Sequence, residues 1–258
     1  MKNTIYTLAL LVCFSSFGQC YLSSRSNSFS PKQLKGTSLS SINTSLSNVK
    51  NDLEKMFDIV FELKYYSGEI AYASPNCKTF KCDGTVGLGI SFLKKLYDID
   101  EELGYWMIIS VLSHEAAHIF QYKNKIKFEN TVQQEISADF IAGWYMGKLM
   151  KDYEGEYDFS GGASKAYNEM EDRRQSISEW KQSLRIFFGY LGDNNYTDIN
   201  HHGNYLTRSM AIHKGMRSYT GWAQPINSID GTPRDYKRRL ALYAQRHAAY
   251  MISQWNKP

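Results

Sequence analysis

Apolar positions recur at helical spacing over most of this chain. From Val49 onward Leu53, Met56, Phe57, Val60, Phe61 and Leu63 keep that spacing and predict a helix. Two short segments, 69–73 and 85–90, read as paired strands flanking a loop with two cysteines, and Asp83-Gly84 is the turn signal. The glycines of the second segment weaken it as a strand but would admit another backbone at close range. A long helix is predicted over 100–122, opening on acids and almost continuously apolar over 106–112. The next, 130–151, carries Ile136, Phe140, Ile141, Trp144, Tyr145 and Leu149 on its apolar positions. After a break at Gly161-Gly162, residues 165–190 are helical by pattern with a charged outer face, and 192–195 form a loop. A shorter helix over 206–216 and a last one from Thr232-Pro233 to about residue 255 complete the chain. The pattern contains no internal repeat. Its sum is an α+β domain, mostly helical, with one small sheet.

The first 48 residues depart from this pattern. Lys2 precedes an apolar run over 5–14, about ten residues, which is a signal-peptide length. Spanning a bilayer takes about 20. Small residues at Ser15, Ser16 and Gly18 suit cleavage near Gly18 or Gln19, so 1–19 is expected to be a signal peptide. Cys20 offers a second route, a lipid anchor at the new terminus, for which Gln19 is a poor preceding residue. Either route exports the protein, to the periplasm or beyond, or to the outer membrane as a lipoprotein. Residues 20–48, dominated by Ser, Asn, Thr and Lys, read as a flexible leader, and 49–258 as the folded domain.

Export changes the meaning of the cysteines. Cys13 leaves with the signal, while Cys77 and Cys82 remain in a loop rich in Pro, Asn, Lys and Gly. In an oxidising compartment a local disulfide is the expectation, because two thiolates alone do not complete a zinc site. The net charge of +4 adds little, since the basic residues are scattered among acids. A nucleic-acid partner would call for a concentrated basic face, and none is expected.

The chemistry is concentrated in His114-Glu-Ala-Ala-His118. At about 3.6 residues per turn, imidazoles four apart stack on one helix face and can share a metal ion. Glu115 is rotated from His114 by about 100°, so its carboxylate would meet a metal-activated water, as general base, rather than the metal. Such a string arises by chance in roughly one chain per hundred of this length, and two ordinary helix histidines beside an exposed acid are the bland alternative. The apolar run Ile108-Ile109-Ser110-Val111-Leu112 before it places the motif in the interior instead. Buried there, two histidines and a carboxylate need partners, which a metal would supply.

The following helix brings Glu135 and Asp139, again four apart and facing one way. One carboxylate would complete two histidines and a water into a four-coordinate site; the other would accept a histidine ring N–H. Spacing permits either assignment. Ala116 and Ala117 on the first helix, with Ala138, Ala142 and Gly143 on the second, are expected to line a close contact between the two.

The strings His-Glu-Ala-Ala-His-Ile-Phe-Gln and Gln-Glu-Ile-Ser-Ala-Asp-Phe-Ile-Ala-Gly resemble those of the bacterial neutral zinc metallopeptidases, which are gluzincins. The resemblance covers roughly residues 67–217. It implies a zincin-like domain with the sheet beside the active-site helix, Zn²⁺ as cofactor, and hydrolysis of peptide bonds. It implies that His114, His118 and Glu135 bind zinc, that Glu115 is the base, and that Asp139 orients a zinc histidine. Substrate backbone would add along the sheet edge formed by 71–90. Gly192-Asp193, then His202-Gly203-Asn204 with Arg208, is similar to closing elements of that family, with Asn204 where Thr is expected. His202 is therefore a candidate oxyanion donor, and a loop histidine near a helix start is its other reading. The same ligands would also serve a catalytically silent exported zinc module, or a zinc hydrolase of a non-peptide or cell-wall amide.

Overall fold

The computed structural model describes residues 33–34, 40–77, 81–99, 101–155, 163–190, 203–228 and 233–255. The expected signal peptide, Cys20, the 161–162 break, the Gly192-Asp193 loop and His202 lie outside the described residues. In chain order the elements are β1 (Gln33–Leu34), α1 (Ser40–Phe57), β2 (Phe61–Tyr66), β3 (Ala71–Ser74), β4 (Gly84–Gly89), α2 (Ile90–Ile99) and α3 (Glu101–Lys123). Then come α4 (Thr131–Gly155), α5 (Ala163–Tyr190), α6 (Tyr205–Ser228) and α7 (Pro233–Trp255). The class is α+β, mostly helical, as the pattern predicts.

A helix that is apolar around its whole circumference has to lie inside other elements. In α3 every residue from Trp106 through Gln121 is buried. It packs against α1, α2, α4, α5, β3 and β4. Its interior hydroxyls are satisfied locally: Ser110 donates to the Met107 carbonyl at 2.7 Å and Ser113 to that of Ile109 at 2.7 Å. The helix closes with Lys125 in the left-handed region at φ 50°, its N–H bonded to the Tyr122 carbonyl and that of Ile126 to Gln121.

The sheet has strand order β1-β2-β4-β3, with β2 and β4 parallel and the other pairs antiparallel. β3 stands at one end of that order and packs on α3, so the sheet does lie beside the helix that carries the histidines. Tyr72 pairs with Gly87 across β3 and β4, and a side chain at Gly87 would occupy the space of the Tyr72 ring. Gly89 has the Gly68 carbonyl close enough to exclude a Cβ, so the expected close approach is to a backbone there. The connection between β3 and β4 carries the Cys77–Cys82 disulfide, with Cα atoms 6.0 Å apart.

Two expectations need correction near the chain start. Helical spacing runs through Val60, Phe61 and Leu63, yet α1 ends at Phe57 and Phe61 and Leu63 belong to β2. Asp58, at φ 53°, ends the helix, with the Ile59 N–H returning to the Glu54 carbonyl at 3.1 Å. A short apolar run does not by its period distinguish the end of a helix from the start of a strand. Nor does all of 20–48 stand outside the fold: Gln33–Leu34 pairs with β2, α1 starts at Ser40, and Ile42 and Leu46 are buried in the core. Their polar neighbours face outward on the same helix. Helix α2 falls between two segments whose pattern was legible and was not anticipated, and α6 runs well past residue 216.

Helices α4 and α6 form the most extensive pairing of the helices. Gly143 is the reason they close so tightly, because a Cβ there would strike the Ile212 carbonyl oxygen of α6. Gly143 therefore serves the α4–α6 contact, not the α3–α4 contact expected for it. From the other side, a Cβ on Gly215 would strike the Phe140 carbonyl. Gly143→Ala is expected to destabilise the fold by about 1–3 kcal/mol, the range for overpacking a tight interior. Urea unfolding giving an unchanged midpoint would show that α6 is free to move away.

Candidate metal centre

Local chemistry at two helix ends sets up the centre. Asn130 caps α4: its Oδ1 accepts the Gln133 N–H at 2.8 Å, while Gln133 reaches back to the Glu129 N–H at 2.8 Å. That fixes the helix start and places Glu135 and Asp139 in its second and third turns. Asn204 does the same for α6, accepting the Thr207 N–H at 2.9 Å. Asparagine is among the preferred residues at such a position. Gly203, at φ 92°, turns the chain into that cap, and Arg208 follows one turn later.

Three predicted residues converge. His114 Nε2 and His118 Nε2 are 3.1 Å apart, and each lies 3.3 Å from an oxygen of Glu135. One ligand atom from each lies within 4.8 Å of the others, so the three could hold a metal ion. The opposite ring nitrogens are both engaged. His114 Nδ1 is 2.8 Å from Asp139 Oδ1, and His118 Nδ1 is 2.9 Å from Gln121 Oε1. Gln121 donates its amide to the Gln134 carbonyl at 3.0 Å, which turns its oxygen toward His118. Both acceptors call for a proton on Nδ1, assigning each neutral ring the tautomer with a bare Nε2.

Two lone pairs facing each other at this distance repel unless a cation lies between them. Without a metal, that cation is a proton. Burial alone would lower the pKa of His114, but its hydrogen bonds to Asp139 and Glu135 and the charges of both outweigh burial and raise it from 6.5 to about 10.

Arg208 is the member the sequence did not mark as a site residue. Fully buried, it grips Asp139 with Nε at 2.7 Å and Nη2 at 2.8 Å, and its Nη2 also stands 3.7 Å from Glu135. Phe188 packs on both sides of this arrangement, 5.9 Å from the His114 ring and 5.8 Å from the Arg208 guanidinium. Glu115 is 2% exposed, one residue on from His114. Glu115, Glu135 and Asp139 against one arginine leave two formal negative charges in a buried cluster, which a divalent cation would balance. Gln121 was visible in the motif, three residues past His118, without an assigned role. Arg208 is 69 residues from Asp139, and no local spacing connects them. His213 and His247 lie on α6 and α7, outside the cluster.

No family model matches the chain, and no curated protein or solved structure matches it. What fold and site define is a class: a mostly helical α+β domain with a buried His-His-Glu cluster able to hold a metal ion. No helix among the described residues is long and apolar enough to cross a membrane.

The raised pKa of His114 has a signed consequence for metal-free protein. A group at 6.5 unfolded and about 10 folded contributes stability that is fully present below pH 6.5 and lost as pH rises through about 10. Urea midpoints of chelator-stripped protein, followed over that window, are expected to decline relative to those of His114→Gln. Parallel profiles for the two proteins would mean that His114 is neutral in the folded state.

Proposed function

We propose that this protein is an exported zinc-dependent metallopeptidase, with His114, His118 and Glu135 as ligands and Glu115 as general base. The observation that carries this reading is the convergence of the three ligands. Atoms bound to zinc at about 2.0–2.1 Å stand about 3.3–3.4 Å apart at tetrahedral angles. Here the two Nε2 atoms are 3.1 Å apart, and each has its own Glu135 oxygen at 3.3 Å, Oε2 for His114 and Oε1 for His118. Three protein ligands leave one position of a tetrahedron, the pattern of catalytic zinc sites. Bound there, zinc would acidify a water and polarise the carbonyl of an amide.

The chain's own residues do the rest. Glu115 takes a proton from the water as its oxygen bonds to the carbonyl carbon, then delivers that proton to the nitrogen as the C–N bond breaks. The second proton of the water passes from the new carboxyl group to the amine, so the products leave as a carboxylate and an ammonium. Asp139 holds the His114 ring by its N–H, and Gln121 holds that of His118, so neither imidazole can rotate away. Arg208 neutralises Asp139, which leaves Glu135 the more anionic partner for the cation. The Cys77–Cys82 disulfide and the apolar run behind Lys2 support export. The substrate on this reading is a peptide or an unfolded protein.

One observation favours a second reading. All the site residues are buried, Glu115 included, which suits a closed metal-binding module without turnover. Zinc analysis of purified protein and cleavage of unfolded casein with and without chelator separate the two. Zinc content with chelator-sensitive cleavage supports the peptidase; zinc content without cleavage supports the module.

Glu115→Gln is expected to keep zinc and thermal stability while hydrolysis falls by about 10²- to 10⁴-fold or more, because Glu115 serves the transition state. Loss of zinc from this variant would make Glu115 a ligand and sink the assignment. Glu135→Ala is expected to empty the site, whereas Asp139→Asn should weaken zinc about 10- to 100-fold. Asparagine is the better probe, since Asp139→Ala would also strand buried Arg208 at a cost of about 3–5 kcal/mol. Competitive chelator titration of both variants reads the order; the reverse order would exchange the roles of Glu135 and Asp139.

A further inference from the structure

Amide hydrolysis gathers negative charge on the carbonyl oxygen, and a donor aimed at that oxygen is often the largest single protein contribution to rate. Helix α3 supplies a candidate in Tyr122. It lies one turn past His118 and seven residues past Glu115, which returns it to within about 20° of the Glu115 face. Helical side chains lean toward the N-terminus, so Tyr122 leans back over His118 and toward Glu115. The rings of Tyr122 and His118 are stacked, with centroids 6.4 Å apart and planes at 22°.

Tyr122 is also where the buried run ends. Residues 106–121 are all buried, while Tyr122 is half-buried, so along α3 it is the first residue past the histidines to reach solvent. Its hydroxyl is nevertheless buried and has no hydrogen-bond partner among the described residues. Keeping a hydroxyl so placed is unfavourable unless something arrives to accept its hydrogen bond. Glu115 and Glu135 both act on it electrostatically. Burial and those two charges raise its pKa, so the phenol is a neutral donor.

We propose that Tyr122 is a catalytic residue whose hydroxyl donates a hydrogen bond to the carbonyl oxygen of the scissile amide as charge develops there. No proton leaves the phenol; the one that reaches the amine comes from Glu115. This inference rests on the peptidase reading of the site. It assigns the oxyanion role to α3 itself, independently of His202.

Tyr122→Phe tests it in the full-length exported protein, assayed on casein and on a fluorogenic peptide. Zinc content should stay as in wild type, and thermal stability should stay level or rise, since no intramolecular hydrogen bond is lost. The value of kcat should fall about 10²- to 10³-fold with KM within about threefold. Affinity for a phosphinic peptide, whose oxygens mimic the tetrahedral state, should fall in parallel with kcat/KM. Unchanged kcat, a rise confined to KM, or loss of zinc would each overturn the proposal. Wild type and Glu115→Gln run beside it keep the two ideas apart. If wild type cleaves, Glu115→Gln does not and Tyr122→Phe does, only the role of Tyr122 fails. If wild type shows no chelator-sensitive cleavage, the peptidase reading fails and this role goes with it.

Discussion

Two imidazole nitrogens 3.1 Å apart, each opposite an acceptor on the far side of its ring, the Asp139 carboxylate 2.8 Å from His114 Nδ1 and the Gln121 amide oxygen hydrogen-bonded to His118 Nδ1, are the constraint around which the interior is organised. Asp139 and Gln121 are what turn those lone pairs inward. If either were lost, its ring would be free to change tautomer or rotate, and the convergence with Glu135 would dissolve. The arrangement is electrostatically unfinished without a cation. A proton on His114 is the metal-free solution, and a divalent metal, which also balances the two excess carboxylate charges, is the other.

Holding three carboxylates inside a core needs compensation that a helix pair cannot supply alone. Arg208 provides it from α6, and its position depends on features remote from the chemistry. Gly203 turns the chain, Asn204 starts the helix, and the glycines at 143 and 215 let α6 press close enough to α4 for the guanidinium to reach Asp139. Backbone proximity and charge placement are thus one problem here. A methyl group at residue 143 would act on the metal centre by displacing the cation that steadies it.

The central helix answers a different demand. Buried on all sides, α3 can hold ligands rigidly, since neighbours restrict every rotamer. The same burial restricts access. At the end of the buried run stands Tyr122, half-buried, with a hydroxyl that has no hydrogen-bond partner among the described residues.

The order of residues alone determined the helices that are long and strongly periodic, the pairing of β3 with β4 around a cysteine loop, and the placing of His114 and His118 on one face of their helix. Each of these follows from spacing within one segment, where the geometry of a turn or a strand fixes who faces whom. Spacing left Glu135 and Asp139 interchangeable, because both lie on one face of α4. Tertiary packing alone decided that Glu135 meets the two Nε2 atoms while Asp139 meets His114 Nδ1 and Arg208. It also decided that the apolar run after Asp58 is a strand and that residues 40–48, polar by composition, join a helix whose few apolar members reach the core. The physical reason is common to these cases. Period and composition report local preference, but a side chain's partner across 69 residues is set by which helices can approach, and that depends on where glycine lets backbones touch.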